Sequence, residues 1–215
     1  MNCLVVAATH REITPLLAWL PTAAKASVQP DILVTGIGLT ATSYHLGQQL
    51  QIRHYDLVLQ AGVAGCFNKN MALGTVVAVK AEAIADQGVM ETVTWKTIFD
   101  MQLQAPSQFP YTRGWLLNPH KALLQKTGLK AVKAVSVNQI TSKKKMLAIY
   151  NDAFKPVAES MEGAALHYTC LMKGIPFLQL RAMSNYVGER NKKHWEMQAA
   201  ITSLNKVLIQ LLQQL

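Results

Sequence analysis

The sequence predicts an α/β fold, a three-layer sandwich in which helices cover both faces of a central, largely parallel twisted sheet. Two observations predict it. Continuous apolar runs of strand length alternate, along the whole chain, with segments whose apolar residues recur at helical spacing. Several of these runs also end in glycine or small polar residues, as strands do where a buried sheet meets a ligand crevice. No internal repeat, low-complexity tract or linker interrupts the alternation, so residues 1–215 are read as one domain.

Asn2-Cys3-Leu4-Val5-Val6-Ala7-Ala8 is apolar almost throughout, as expected of a strand buried on both faces. His10 to Leu20 carries Ile13, Leu16, Leu17 and Leu20 at helical spacing, and Pro21 stops it. Asp31 to Thr35 reads as a second strand ending in Gly36-Ile37-Gly38, followed by a helix from Thr40 to Ile52. A third strand, Asp56 to Gln60, leads into Ala61-Gly62-Val63-Ala64-Gly65, read as a glycine turn, and Gly74 to Val79 supplies a fourth. Glu82 to Tyr111 is irregular, and loops of that length usually cover a site or serve an interface. Asn118 to Thr127 reads as helix, Lys130 to Val137 as strand, Lys143 to Asn151 as a short basic helix and Lys155 to Ser160 as a short strand. Gly163 to Lys173 is a helix stopped by Gly174, and Pro176 to Met183 is the last long strand. A final helix from Glu196 aligns Ile201, Leu204, Leu208, Leu211 and Leu215 on one face.

With half of its 215 residues apolar and 15% charged, the chain can bury a sizeable core and is not globally disordered. No apolar run reaches the ~18 residues of a membrane span. Met1 to Ala8 leads directly into His10-Arg11-Glu12, too short and wrongly flanked for a signal peptide. Cys3, Cys66 and Cys170 lack CxxC spacing and read as reduced core thiols, so a cytoplasmic location is expected. The net charge of +9 admits two readings. A nucleic-acid binder would gather its basic residues on one stripe with aromatics between them. Here the dense clusters, Lys143-Lys144-Lys145 and Arg190-Asn191-Lys192-Lys193-His194, read as solvated loops. Attraction of an acidic small molecule to a cationic cleft is the second reading, and a basic ligand- or nucleic-acid-binding module is the non-enzymatic alternative.

Motifs exclude several chemistries. Gly36 and Gly38 lack the third glycine of a dinucleotide fingerprint, since position 41 is Ala41, and there is no GxxxxGK[ST] phosphate loop. HExxH, an EF-hand loop, a His/Cys cluster and GxSxG are all missing, so neither metal nor cofactor is expected. With only twelve acids in the chain, those at strand or helix ends stand out. Glu159-Ser160-Met161-Glu162-Gly163-Ala164-Ala165 places Glu162 at the start of an apolar helix, where it either caps the helix or holds a ligand. Glu12, just beyond the first strand, reads alone as an exposed helix-start acid. Ser184-Asn185 follows the last strand, where polar residues usually face a crevice.

The order of these pieces resembles the purine nucleoside phosphorylase and nucleosidase superfamily over essentially the full length. The matching elements are the first strand with Glu12, Gly36-Ile37-Gly38, Ala61-Gly62-Val63-Ala64-Gly65, Ser160-Met161-Glu162-Gly163-Ala164-Ala165 and Arg181-Ala182-Met183-Ser184-Asn185. Ser184-Asn185-Tyr186-Val187-Gly188 is most similar to the futalosine hydrolases of the alternative menaquinone pathway. The resemblance implies a nucleoside phosphorylase-like sandwich with a largely parallel or mixed sheet, and a homo-oligomer, dimer or higher. It implies hydrolysis of futalosine at its N-glycosidic bond, releasing hypoxanthine. The alternatives are methylthioadenosine/S-adenosylhomocysteine nucleosidase and purine nucleoside phosphorylase.

By the same resemblance Glu12 activates water, Glu162 holds the ribose hydroxyls and Met161 packs under the sugar. Val63, Ala64, Gly65, Ser160 and Ser184 line the substrate site, and Ile140 and Thr141 contact the base. Adenine-specific nucleosidases carry aspartate where this chain has Asn185. An asparagine amide can donate to a 6-oxo group while its carbonyl accepts from a protonated N7, which favours a 6-oxopurine. Phosphorylases need a phosphate cradle, but the N-terminal turn reads Ala8-Thr9-His10-Arg11-Glu12 and Val63 occupies the usual hydroxyl position, so water is the expected nucleophile. The expected partner is a small nucleoside bearing a carboxylate, with Arg190, Lys192 and Lys193 as candidate counter-ions, and with no nucleic-acid or membrane partner.

Overall fold

The computed structural model describes residues 1–23 and 28–215. Among these residues eight strands form one mixed sheet and two more form a separate hairpin. The first strand, β1 (Cys3–Ala7), is buried at every position and lies between β2 (Asp31–Val34) and β3 (Leu57–Cys66), parallel to both. Its alternation separates two cores. Leu4 and Val6 pack with Leu46 and Leu50 of helix α2 (Leu39–Ile52) and with Leu166 and Cys170 of α5 (Gly163–Lys173). Cys3, Val5 and Ala7 pack on the opposite face with Ile13 and Leu16 of α1 (His10–Trp19) and with Leu204 and Leu208 of α6 (Met197–Gln214). The period of two along the strand therefore produces the three layers. All three cysteines are free and buried.

The remaining strands make the sheet mixed. β10 (Phe177–Tyr186) runs parallel to β3, while β4 (Val76–Ile84) runs antiparallel to β10 and parallel to β8 (Ala131–Ser136). β9 (Ala158–Ser160) pairs parallel with β8 and returns antiparallel to the end of β3. The short β7 (Leu116–Leu117) adds to β4, and β5 (Gly88–Glu91) with β6 (Thr94–Thr97) forms the hairpin. Two further helices, α3 (Lys121–Lys126) and α4 (Lys144–Phe154), complete the order of elements.

Strand β3 holds the key to the site. One edge pairs continuously with β10, from Val58 to Cys66. The other edge pairs with β1 only as far as Gln60 and meets β9 only from Gly65. β3, β10, β4, β8 and β9 thus close into a small barrel, while β1 and β2 splay away. The backbone between Gln60 and Gly65 faces the gap, the kind of switch point where α/β sheets bind ligands. The segment Ala61 to Gly65, expected as a turn, is strand. Gly62 is needed because Arg181 crosses β3 there: a Cβ on Gly62 would overlap the Arg181 guanidinium. The expected irregular stretch from Glu82 likewise begins with the last three residues of β4 and contains the β5–β6 hairpin.

Candidate active site

A cleft of about 320 Å³ occupies the gap beside β3. Val63, Ala64 and Gly65 form its floor, and Ser184 and Asn185 enter it from β10. Ser160, Met161 and Glu162 come from the β9–α5 junction, Glu12 from the first turn of α1, and Ile140 from the loop after β8. Thr141 is a correction. It is buried behind Ile140, where its backbone N donates to Glu159 Oε1 (3.1 Å), and it lines the adjoining cavity instead. Lys192 and Lys193, in a short 3₁₀ turn, also lie outside the cleft, whereas Arg190 lines it.

Glu12 has two duties. Its Oε2 accepts from the Thr9 backbone N and hydroxyl, both at 3.0 Å, which ties down the start of α1. Its Oε1 accepts from the Val63 backbone N (3.1 Å), a donor left free where β1 departs from β3. Asn205 of α6 fixes the same turn from behind, donating to the Glu12 carbonyl at 2.8 Å and accepting from the Leu16 backbone N at 3.1 Å. The carboxylate is thereby aimed into the cleft by three elements while remaining only 8% exposed.

Glu162 stands at the N-cap position of α5 without capping it. The helix's first free N–H groups are met by other side chains: Gly163 N donates to Ser160 Oγ (3.3 Å) and Ala164 N to Ser136 Oγ (2.9 Å). Glu162 Oε1 instead accepts from Gly38 N (3.1 Å), in the turn after β2, and Oε2 lies 3.7 Å from Arg181 Nη2. The capping alternative for this acid therefore falls to Ser160 and Ser136.

Asn185 is oriented by its neighbours. Nδ2 donates to the Tyr186 carbonyl (3.1 Å), a contact the amide oxygen could not replace, and Oδ1 accepts from Ser184 Oγ (2.9 Å). One amide hydrogen and one lone pair remain for a ligand. A register shift in β10 between Met183 and Asn185 marks the same point of the strand.

Residues 20–215 match the sequence model of the phosphorylase superfamily. The chain belongs to the phosphorylase superfamily. Among curated relatives, futalosine hydrolase of Thermus thermophilus is 28% identical over 190 residues, covering 84% of this chain and 80% of that protein. Futalosine hydrolase of Streptomyces coelicolor is 26% identical over 180 residues, covering 81% and 74%. Two solved structures share the fold. Futalosine hydrolase of Helicobacter pylori superposes with a TM-score of 0.79 at 18% identity, covering 100% of this chain and 98% of that one. The 5′-methylthioadenosine/S-adenosylhomocysteine nucleosidase of Colwellia psychrerythraea, in complex with adenine, gives 0.81 at 20% identity, covering 100% and 96%.

Beneath the cleft this superfamily member carries a buried polar cluster that the sequence reading did not anticipate. Arg181, 1% exposed, donates to Gln60 Oε1 (2.7 Å) and faces Glu162. Glu82 accepts from Ser136 Oγ (2.9 Å) through Oε1, while its Oε2 and the Gln179 amide meet nothing within hydrogen-bonding geometry. Burial pushes the Glu82 carboxyl up to about 7, against the opposing pull of Arg181 and Ser136. His167 is also fully buried, with Nδ1 2.9 Å from the Leu116 carbonyl, and burial drops its pKa to about 4. Burial likewise raises Glu159, whose Oε1 is engaged by Thr141. Gly163 is required here too, since a Cβ would press on Gln179 and Glu82. Only the isolated polar letters within apolar runs (Gln60, Glu82, Gln179, Arg181) signal this cluster in the sequence.

Proposed function

We propose that the protein hydrolyses the N-glycosidic bond of futalosine, releasing hypoxanthine. Glu12 takes a proton from water as the oxygen attacks the anomeric carbon. The bond to the purine breaks, the hydroxyl stays on the sugar, and the departing base takes up the proton. Glu162 receives the ribose hydroxyls, and its negative charge favours the oxocarbenium-like sugar that forms as the bond loosens. Met161 packs under the ribose, and Ser160 keeps the helix start from competing for Glu162. Asn185 donates its free amide hydrogen to the 6-oxo group and accepts from N7–H, while Ile140 covers the base.

The observation that carries this reading is the freedom of Glu162. Its carboxylate is held in the cleft by Gly38 and Arg181 rather than used by its own helix, and it shares that cleft with Glu12 and Asn185. The apolar side chain of Val63 on the floor supports water, not phosphate, as nucleophile. The futalosine hydrolase relatives support the substrate.

Purified protein incubated with futalosine in phosphate-free buffer is expected to release hypoxanthine, followed by chromatography. Glu12→Gln should lower kcat by about 10²–10⁴-fold with little change in KM. Turnover of methylthioadenosine in place of futalosine, or a strict requirement for phosphate, would overturn the assignment.

A further inference from the structure

Helix α1 carries an acid that faces the cleft, yet its middle is weakened at two successive positions. Pro15 has no N–H, so the Arg11 carbonyl receives no helical donor, and the proline ring crowds that carbonyl. At Thr14 the side-chain hydroxyl donates back to the His10 carbonyl (3.0 Å), a bond that bends helices. The first turn, with Glu12 in it, is therefore poorly fixed by the rest of its own helix.

Asn205 meets that turn from α6. The helical link that starts at the acid runs between the Glu12 carbonyl and the Leu16 N–H. One side-chain amide serves both of its ends: Nδ2 donates to the carbonyl (2.8 Å) and Oδ1 accepts from the N–H (3.1 Å). Nδ2 also donates to the Ile201 carbonyl of α6 (2.7 Å). These partners fix the amide's orientation, since the flipped form would set its oxygen against two carbonyls. Asn205 is buried beside Leu204 and Leu208, which pack with Ile13 and Leu16 of α1. An amide in that apolar face costs stability unless it is paired, and two of its three bonds go to the turn of Glu12. At the other end of the helix, Glu196 N donates to the Ser184 carbonyl (2.8 Å), next to Asn185. About 13 Å of α6 joins the two anchors. The helix thus sets the spacing between the acid at one side of the cleft and the amide at the other.

We infer that Asn205 is a positioning residue for Glu12: by holding both ends of this link from α6, it keeps the water-activating carboxylate aimed at the sugar. The inference rests on the nucleosidase reading and deepens it, because it makes the C-terminal helix part of what places the acid. In Asn205→Leu, a substitution of similar volume, the Glu12 carbonyl and the Leu16 N–H are left to bond each other. The chain can then fold while the carboxylate swings away from its working position.

The test is a double-mutant cycle of Asn205→Leu with Glu12→Gln, at a temperature where all variants are folded. It is run on whichever of futalosine, inosine and methylthioadenosine the wild type turns over fastest. Asn205→Leu is expected to lower kcat about 10–100-fold with KM nearly unchanged. In the Glu12→Gln background the same substitution should cost less than about threefold, because the group it positions is gone. Asn205→Ala gives a second cycle with the same expectation, should leucine prevent folding. Asn205→Asp, kept protonated by burial against two carbonyls, retains an acceptor and one donor and should keep more of kcat than Asn205→Leu. Leu208→Ala, further along α6 in the same core, should lower stability without that loss of kcat. Multiplicative losses in the double variants, a kcat in Asn205→Leu equal to wild type, or as large a loss in Leu208→Ala would sink the positioning role and leave Glu12 as the acid. Wild type active on another of the three nucleosides but not on futalosine would overturn the substrate alone, since the cycle still reads Asn205. Wild type inactive on all three, or Glu12→Gln as fast as wild type, would overturn the nucleosidase reading and the inference with it.

Discussion

Asn185 has already used half of its hydrogen-bonding capacity on Tyr186 and Ser184, so what is left to a ligand is one donor beside one acceptor. That remainder matches the O6 and N7–H of a 6-oxopurine. In Asn185→Asp, the oxygen replacing Nδ2 would face the Tyr186 carbonyl unless it carried a proton. A protonated carboxyl that turns its one proton from the Tyr186 carbonyl to N7 can accept from an exocyclic amine through its other oxygen, the complement of adenine. The substitution is therefore expected to move the ratio of hypoxanthine to adenine release, from matched inosine- and adenosine-type substrates, at least about tenfold toward adenine. An unchanged preference would take base selection away from this residue. Asn185, Glu12 and Glu162 were legible in the sequence because acids are scarce in it and because polar letters at strand ends face crevices. Thr141 was misplaced because one residue of chain separates a side chain in the cleft from one behind its wall. Arg11 and Trp195 also line the cleft but were not assigned a role, since one sits in the first turn of α1 and the other just after a short 3₁₀ turn, positions whose spelling does not show which way they face.

At the scale of elements, the site depends on β3 changing partners while β10 stays beside it. The alternation of strands and helices was readable from apolar spacing, and helix α5 has the bounds its glycine stop implied. The mixed directions of β4 and β9 were not, because a short strand of three residues carries too little pattern to show its partner. The glycine run of β3 was read as a turn for a related reason: glycine marks both turns and close approaches, and only the structure places Arg181 across it. Gly62→Ala therefore tests whether that crossing matters. The added methyl must displace the guanidinium or bend β3, costing roughly 1–3 kcal/mol by overpacking. Displacing Arg181 also loosens Glu162, so kcat/KM should fall by more than the stability loss explains. Gly47→Ala, in α2 with open space around its Cβ, serves as the comparison and should stabilise by about 0.5–1 kcal/mol. Equal activity in the two variants at a temperature where both are folded would exclude the coupling through Arg181.

Across the whole molecule, the buried cluster ties folding to pH. Glu82 rises from 4.5 to about 7 on folding because burial penalises its charge. The folded state holds that proton more tightly than the unfolded chain, so the stabilisation is complete below about 4.5 and is lost as pH rises through about 7. His167 acts in the opposite sense. Its drop from 6.5 to about 4 stabilises the folded state fully above 6.5 and fades as pH falls through 4. Between about pH 4.5 and 6.5 the two trends oppose and largely cancel, and above 6.5 only Glu82 acts. A shift of that size corresponds to about 3 kcal/mol. Denaturant unfolding at a series of pH values should show wild type nearly level between about pH 4.5 and 6.5, where the two groups offset, and losing stability above 6.5 as pH rises through about 7. Glu82→Gln keeps an acceptor for Ser136 but has no proton to lose, so its stability should rise with pH up to about 6.5, as His167 alone requires, then stay level and overtake wild type at the alkaline end. Parallel pH curves for the two proteins would mean that Glu82 stays ionised when buried, held by Arg181. The cluster would then be a permanently charged support for Glu162 rather than one that weakens as the pH rises.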